Sequence, residues 1–394
     1  MRLAAIIALF LPLLAMAQPV VPGFERFPRD TPAQQVTAGE VLITELNCVA
    51  CHAAGEDQGR RFQRRPAPVL FTHHNPASVG WMRHWLLDPQ KLKPGTLMPD
   101  LLHGMDAEKK SESVEALRHY LMTLSPGTAR EAAMIGSSVE GKKLYHSLGC
   151  AQCHAPDARD NGRDIPIGEL RAKYTHANLI KFLRDPLHSR PAGRMPRTPM
   201  NEEEAAHLSV YLRHRLKPLD LHGLSRGPAV LKLQQEGAKL YQTLRCANCH
   251  QSPKLDVQPA FSKPLTEVNP QHGCLAPKPV ASVPHFHLNA AQRAAITAAL
   301  QAKPAAPTLL SKTHRQLRLL NCTACHDRKA LGQPDAQRDE LFLGLGEDLG
   351  DEGRRPPTLT GVGAKLTEPA LHQVLRGNGA VRPYLATRMP DFGE

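Results

Sequence analysis

Four copies of one short pattern contain eight of the nine cysteines in this chain of 394 residues. Each copy reads Cys-x-x-Cys-His, so that two thiols lie one helical turn apart and an imidazole follows at once. Two such thiols can add to the two vinyl groups of a haem, and the adjacent imidazole can then bind the iron. The predicted attachment cysteines are Cys48, Cys51, Cys150, Cys153, Cys246, Cys249, Cys322 and Cys325, and the predicted proximal ligands are His52, His154, His250 and His326.

Other uses of paired cysteines fit this pattern less well. A thioredoxin-like redox site needs no following histidine and would not recur four times, and a zinc site needs ligands that converge. A disulfide is possible for any single pair but does not explain the repeated histidine. Four covalent haem c groups, each with its iron, are therefore predicted.

The first 17 residues predict an exported protein. Arg2 precedes an apolar stretch over 3–17, which ends in the small-residue cleavage pattern Ala15-Met16-Ala17. This combination is typical of a signal peptide. No later stretch has the roughly 18 uninterrupted apolar residues of a membrane span. The mature chain is predicted to be periplasmic and to have no integral membrane segment.

An amphipathic helix is predicted before each of the first three Cys-x-x-Cys-His motifs. Its apolar face begins with a glycine (Gly39, Gly141 or Gly237) and continues three, four and seven residues later. The fourth copy has Thr313 in place of the glycine. The chain is thus organised as repeats, each centred on one motif.

A second set of elements follows three of the four motifs. A proline-rich loop leads to the dipeptide Met-Pro at Met98, Met195 and Met389. Short helices before the first two of these methionines are predicted to end at Asp-Pro. A closing helix is predicted after each of the first three repeats, and in the second repeat Asn201 and Glu204 form a capping-box pattern.

This order of elements resembles the small all-α class I cytochrome c domain. The resemblance implies an all-α fold of four tandem helical domains joined by proline-rich loops. The predicted segments are a signal peptide over 1–17 and domains over 18–128, 129–218, 219–304 and 305–394, the third with an atypical distal site and the fourth without a closing helix.

The resemblance also implies roles for individual residues. Met98, Met195 and Met389 would be distal iron ligands of the first, second and fourth haems. A loop proline carbonyl would accept a hydrogen bond from each proximal imidazole, with Pro68, Pro264 and Pro357 as candidates. The first-helix glycine would meet a closing-helix residue within its own repeat. These expected pairs are Gly39 with Tyr120, Gly141 with Tyr211 and Gly237 with Ala299.

The third haem lacks an obvious distal ligand. Aligning the second and third repeats without gaps puts Val283 at the methionine position, and valine cannot bind iron. Two histidines follow directly, so His285 or His287 is one candidate, which would give a lower-potential bis-histidine site. An open or water-bound iron and ligation by Cys274 or His272 are the alternatives.

Two classes of function fit these features. In the first, the chain is a multihaem cytochrome that carries electrons between a redox protein donor and acceptor. In the second, it is a peroxidase-like oxidoreductase or the haem module of a larger dehydrogenase, using the irregular third haem. A haem sensor is a further alternative. The formal net charge of +12 is no argument for a nucleic-acid partner, because haem propionates would offset much of it.

Overall fold

A computed structural model describes most of the chain. The described residues are 18–65, 67–70, 78–124, 134–155, 164–190, 193–214, 223–250, 260, 262–303, 308–329, 331–346, 349–377 and 382–393. The predicted signal peptide over 1–17 lies outside them. No helix in these ranges is long and apolar enough to cross a membrane.

Ten helices of eight residues or more form the frame of the described ranges. They are α1 (Pro32–Glu45), α2 (Val79–Leu87), α3 (Ala107–Leu124), α4 (Ser138–Ser147), α5 (His176–Arg184), α6 (Glu202–His214), α7 (Val230–Thr243), α8 (Ala290–Gln301), α9 (Leu309–Leu319) and α10 (Glu368–Leu375). The described residues contain no strand, and only isolated bridges join extended segments. The prediction of an all-α fold is confirmed.

Shorter helical turns connect these ten helices. The α-helical ones are Pro22–Glu25, Glu56–Arg61, Pro89–Leu92, Cys150–Cys153, Leu170–Lys173, Pro186–Ser189 and Val362–Lys365. The 3-10 turns are Cys48–Ala50, Cys246–Asn248, Leu265–Glu267, Gly273–Leu275, Cys322–Ala324, Ala336–Leu341 and Gly350–Gly353.

The predicted helix boundaries follow from local side-chain bonds. Asn201 and Glu204 exchange hydrogen bonds at the start of α6, which is the predicted capping box. Helix α2 ends at Asp88 and α5 ends at Asp185, as the Asp-Pro dipeptides predict. Each of these aspartates also caps a short helix that begins at the following proline, because its carboxylate accepts a backbone N–H three residues on.

The pairing of long helices crosses the predicted repeats. Of the three helices that carry a glycine before a motif, α1 packs against α8, α7 packs against α3, and α4 packs against α6 of its own repeat. A Cβ added at Gly39 would overlap the backbone of Ala295 and the side chain of Ala299, whereas one at Gly237 would overlap Ala116 and Tyr120. The predicted pairs Gly39–Tyr120 and Gly237–Ala299 are therefore wrong. The pair Gly141–Tyr211 is confirmed.

Three hydrophobic cores follow the same pairing. Unit A consists of α1, the first motif and 262–301, and its core contains Leu42 and Ile296. Unit B consists of α7, the third motif and the described residues 67–70 and 78–124, and its core contains Tyr241 and Leu117. Unit C spans 138–214 and has a core of its own. The segment 308–393 packs on these units, for example through Leu341 on the core of unit C.

The exchange between units A and B has a simple geometric reason. The first and third motifs contact each other, so the chain leaving either motif starts close to both units. The segment that follows either motif can then pack on unit A or on unit B with a similar loop-closure free energy. Equivalent elements are exchanged between like units under this condition. The four predicted domain ranges stay predictions, and packing in the first and third crosses their boundaries.

Candidate haem sites

All four Cys-x-x-Cys-His motifs adopt similar turns, which are α-helical in the second motif and 3-10 in the other three. The residue before the first cysteine is left-handed in each: Asn47, Gly149, Arg245 and Asn321 have φ of 57°, 92°, 56° and 56°. In each motif the backbone N–H of the histidine donates to the carbonyl of the first cysteine, at 2.8 to 3.1 Å. This turn brings both thiols and the imidazole close together. All eight motif cysteines are free thiols rather than disulfides.

Each motif histidine donates a hydrogen bond from Nδ1 to a backbone carbonyl. The acceptors are Lys263 for His52 at 2.7 Å, Ile165 for His154 at 2.8 Å, Pro68 for His250 at 2.9 Å and Pro357 for His326 at 2.6 Å. A carbonyl can only accept, so Nδ1 carries the proton and the lone pair for a metal is on Nε2. The four imidazoles thus have the tautomer that iron ligation needs.

These acceptors correct the predicted carbonyl partners. Pro357 is confirmed for His326, but Pro68 serves His250 rather than His52. The acceptor for His52 is Lys263, one residue before Pro264. The acceptors for the first and third motifs therefore come from each other's repeats, as the helix partners do.

Burial favours the neutral imidazole in two of the motifs. It lowers the pKa of His250 and of His326, although the hydrogen bonds to Pro68 and Pro357 act in the opposite direction. An uncharged imidazole is the form that can bind a metal ion. The local electrostatics thus agree with the tautomer fixed by the carbonyls.

The motifs lie in two contacting pairs. Asn248 Nδ2 lies 3.3 Å from Cys51 Sγ and Asn47 Nδ2 lies 3.8 Å from Cys249 Sγ, so the first and third motifs touch. Asn321 Nδ2 lies 3.6 Å from Cys153 Sγ, which joins the fourth motif to the second. Groups attached to the paired motifs would therefore be close neighbours.

The same pairs are joined again on the distal side. Asp100 and His285 exchange two backbone hydrogen bonds, and Arg197 and Asp391 exchange two more. Each of these residues lies two positions after the methionine position of its repeat. That position is occupied by Met98, Met195 and Met389 in the first, second and fourth repeats and by Val283 in the third. The first and third repeats are thus joined in the same way as the second and fourth. Among the described residues, helix partners and carbonyl acceptors are exchanged only between the first and third repeats.

All three predicted distal methionines are half-buried. Trp85 Nε1 donates to Met98 Sδ at 2.9 Å, and the α2 helix that carries Trp85 packs on α3 of unit B. Met195 packs against the core of unit C. Met389 is half-buried near the bridge at Asp391. The structure thus puts Met98 with the third motif and Met195 with the second.

The segment around Val283 lies with the first motif. Phe286 and Leu288 pack into the core of unit A, and His285 and His287 stack with ring centroids 3.8 Å apart. Burial lowers the pKa of both imidazoles. Cys274 is half-buried, and its thiol is close enough to Cys48 and Cys51 to interact with them electrostatically.

Three cations converge where unit B meets unit C. Burial and the positive charge of Arg190 lower the pKa of Lys93 to about 8, and they lower the pKa of Lys173 well below its usual range. Lys173 Nζ lies 4.5 Å from the centroid of the Trp81 ring, and that ring stacks on Trp85. No described carboxylate forms an ion pair with these three cations. A cluster of this kind suits a carboxylate ligand such as a haem propionate.

A buried ion pair fixes the backbone beside the second motif. Asp164 pairs with Arg338 from the last segment and, at 3.5 Å, with Arg26. Arg338 also donates to the carbonyls of Ala151 and Gln152 within the motif. Asp164 directly precedes Ile165, the carbonyl acceptor for the proximal histidine. The ion pair therefore connects the segment 308–393 to the proximal side of the second motif, where Ile165 accepts the hydrogen bond from His154.

Comparison with protein families identifies one segment of the chain. Residues 138–215 match the cytochrome c family model. This segment is therefore similar to the cytochrome c family. Its limits coincide with those of unit C. This unit contains the helices α4 and α6, which cross at Gly141, together with the second Cys-x-x-Cys-His motif and Met195. A cytochrome c domain implies covalent haem c with iron and redox partners, so the match supports a c-type cytochrome in this part of the chain.

Two curated proteins share part of the sequence. The cytochrome c oxidase subunits 2 of Bacillus subtilis (strain 168) and of Bacillus sp. (strain PS3) are each 32% identical, over 94 and 97 residues. The matches cover 22% of this chain, and the chain spans about a quarter of the length of these relatives. No solved structure gives a significant match.

Several residues of these sites were not predicted from the sequence. Lys93, Lys173 and Arg190 come from three separate segments, and no local pattern links them. Lys263 and Ile165 supply carbonyls rather than side chains, so their only signal is the proline that follows each of them.

Proposed function

We propose that this chain is a periplasmic c-type cytochrome with four covalent haems that carries electrons between redox protein partners. The observation that carries the proposal is the fourfold repeat of one local geometry. Each motif has the same left-handed entry, the same bond from the histidine N–H to the first cysteine's carbonyl, and the same Nδ1-to-carbonyl bond. Since residues 138–215 match the cytochrome c family and contain one such motif, the other three are expected to bind haem in the same way.

The residues of each site have separate roles. The two cysteines would hold the porphyrin through thioether bonds, and the proximal histidine would bind iron through Nε2 while its carbonyl partner fixes the ring orientation. Where a methionine is the distal ligand, its neutral thioether favours the reduced iron. A haem so bound supplies one-electron chemistry at iron.

The pairing of motifs supports electron transfer over catalysis. The first and third motifs touch, and so do the second and fourth, which would keep the attached porphyrins adjacent within each pair. The contact of Lys93 with Gly168 lies between units B and C, and Arg194 pairs with Glu45 of unit A. Close contact of all units favours a continuous route for electrons.

Intact-mass measurement of protein matured in a bacterial periplasm tests this proposal. The expected mass is that of the chain without residues 1–17 plus four haems. A matched control replaces Cys322 and Cys325 with serine and should lose one haem while keeping three. A mass that fits a disulfide-bonded apoprotein, or a control with an unchanged haem count, would overturn the proposal.

The predicted leader sequence supports the periplasmic location. Fractionation of cells that express the full chain should recover the haem protein with the periplasmic fraction, cleaved after Ala17. Recovery of an uncleaved chain in the cytoplasm would contradict this part of the proposal.

A further inference from the structure

We propose that the first and third haem sites are assembled by exchange within the chain. In this arrangement His287 is the distal ligand of the iron bound by His52, and Met98 is the distal ligand of the iron bound by His250. The inference rests on the proposed function, because it assumes that both motifs carry haem. It assigns each distal ligand to the haem that is remote from it in sequence.

The proximal sides of the two sites show the exchange. Ser262 N–H donates to the Cys51 carbonyl at 2.7 Å, and Lys263 accepts the bond from His52. In the opposite direction, Ala67 N–H donates to the Cys249 carbonyl at 2.9 Å. In unit C the corresponding bond joins Ile165 to Cys153, within one repeat. A described residue that follows each motif, Ala67 or Ser262, is therefore hydrogen-bonded to the other motif.

The helices that flank the distal ligands show the same exchange. The residues after His287 form α8, which crosses α1 at Gly39, directly before the first motif. The residues after Met98 form α3, which crosses α7 at Gly237, directly before the third motif. In unit C, where the cytochrome c family match applies, the helix after Met195 likewise crosses the helix before its motif. By this comparison, the helix that follows a distal ligand crosses the helix that precedes the motif of the same haem. His287 is thus assigned to the first motif and Met98 to the third.

His287 is better suited to ligation than His285. Its Nε2 is buried and has no hydrogen-bond partner, and its φ is 56°, which is unusual for a residue with a side chain. A buried unsatisfied nitrogen and a left-handed backbone both cost free energy, and such features concentrate at functional sites. The His285 ring lies between His287 and His103, and its backbone forms the bridge to Asp100.

The exchange determines which haem has the lower potential. Ligation by His52 and His287 makes the first haem a bis-histidine site, and ligation by His250 and Met98 makes the third a histidine–methionine site. Bis-histidine ligation lowers the reduction potential relative to histidine–methionine ligation. The first haem is therefore the low-potential member of its pair, which is the reverse of the order expected from tandem repeats.

The test removes Met98 in proteins that lack one of the two haems. Met98→Leu keeps the volume but cannot bind iron. In a protein with Cys48 and Cys51 replaced by serine, it should abolish one methionine–iron charge-transfer band. With Cys246 and Cys249 replaced instead, it should leave the bands unchanged. The opposite pattern would overturn the exchange.

A second experiment uses the four-haem protein in case the haem-deficient proteins do not fold. Gly39→Val should alter the bis-histidine low-spin signal in electron paramagnetic resonance and leave the charge-transfer band of Met98 unchanged. Gly237→Val should do the reverse. Loss of the Met98 band in Gly39→Val would show that each repeat builds its own site.

Substitution of the two histidines tests the choice of ligand. His287→Leu should convert one haem from low spin to high spin, whereas His285→Leu should not. Loss of the low-spin signal in His285→Leu alone would overturn the assignment. The intact mass of each protein is measured first: fewer than four haems in the unsubstituted protein contradicts the proposed function, whereas four haems with the wrong spectra contradict only the exchange.

Discussion

Replacement of Asp164 with asparagine is expected to weaken the contact between the segment 308–393 and the second haem site. The side chains of Asp164 and Arg338 are 1% and 4% exposed, so their ion pair is almost fully removed from water. Removing one member of a buried ion pair leaves the other charge without compensation, which typically costs about 3–5 kcal/mol. Because Asp164 precedes Ile165, the same change should also loosen the carbonyl that orients His154.

The expected magnitude lies below the full cost of a broken buried pair. Arg338 keeps its bonds to the carbonyls of Ala151 at 3.0 Å and Gln152 at 3.1 Å, and the amide oxygen of asparagine can still accept from it. We therefore expect a loss of about 2–3 kcal/mol in local stability. At a factor of ten for each 1.4 kcal/mol, this is roughly a 30- to 150-fold increase in local opening.

Hydrogen exchange measured by mass spectrometry is suited to this prediction. The amides of the turn Ala336–Leu341 should exchange faster in Asp164→Asn by that factor. Glu140→Gln is the matched control, because Glu140 and its partner Lys143 have side chains that are 48% and 67% exposed and such pairs contribute less than about 1 kcal/mol. If both variants exchange alike at this turn, the buried pair does not hold the segment and the reasoning is refuted.

Three further predictions concern the cation cluster, a distal ligand and a helix crossing. Arg190→Gln should lower the potential of an adjacent haem by on the order of 40 mV, equivalent to roughly 1 kcal/mol for one electron, because a nearby guanidinium cation favours the reduced state. The exposed control Lys181→Gln should not, and equal shifts in a potentiometric titration would contradict the role of the cluster. Met195→Leu should remove one methionine–iron charge-transfer band, and an unchanged spectrum would exclude Met195 as a ligand. Gly141→Val should destabilise unit C by about 1–3 kcal/mol in urea denaturation, since its side chain would enter the adjacent helix. Gly59→Ala, with open space around the added Cβ, should be near neutral, and similar losses for both would contradict the close crossing.

Local sequence signals predicted the helices and the motifs well. The apolar spacing before each motif, the Asp-Pro dipeptides and the capping box at Asn201 each act within a few residues of the chain. Such signals depend on backbone and side-chain bonds that form in the same place whatever the tertiary partner is. This is why α1, α4, α6 and α7 and the motif turns are where the sequence predicts them.

The choice of helix partners could not be predicted in the same way. Gly39 and Gly237 stand at the same position of equivalent helices, so either could accept either closing helix. The partner depends on the path of the chain after each motif, and the first and third motifs contact each other, for example through Asn47 and Cys249. The periodicity of a single helix contains no information about a contact between two motifs that are distant in sequence.

The exchange has a consequence for the order of folding. Unit C takes all its elements from 138–214, so its contacts are local and it can form as soon as that segment is available. Unit A needs α8 to cover α1, and unit B needs α7 to cover α3, so neither can be completed until residues beyond unit C have been made. Because such long-range contacts carry a larger loop-closure cost, units A and B should form after unit C and depend on each other. A chain that attaches haem at the first motif before α8 arrives would hold that haem without its distal half, so completion of the third repeat controls the maturation of the first site.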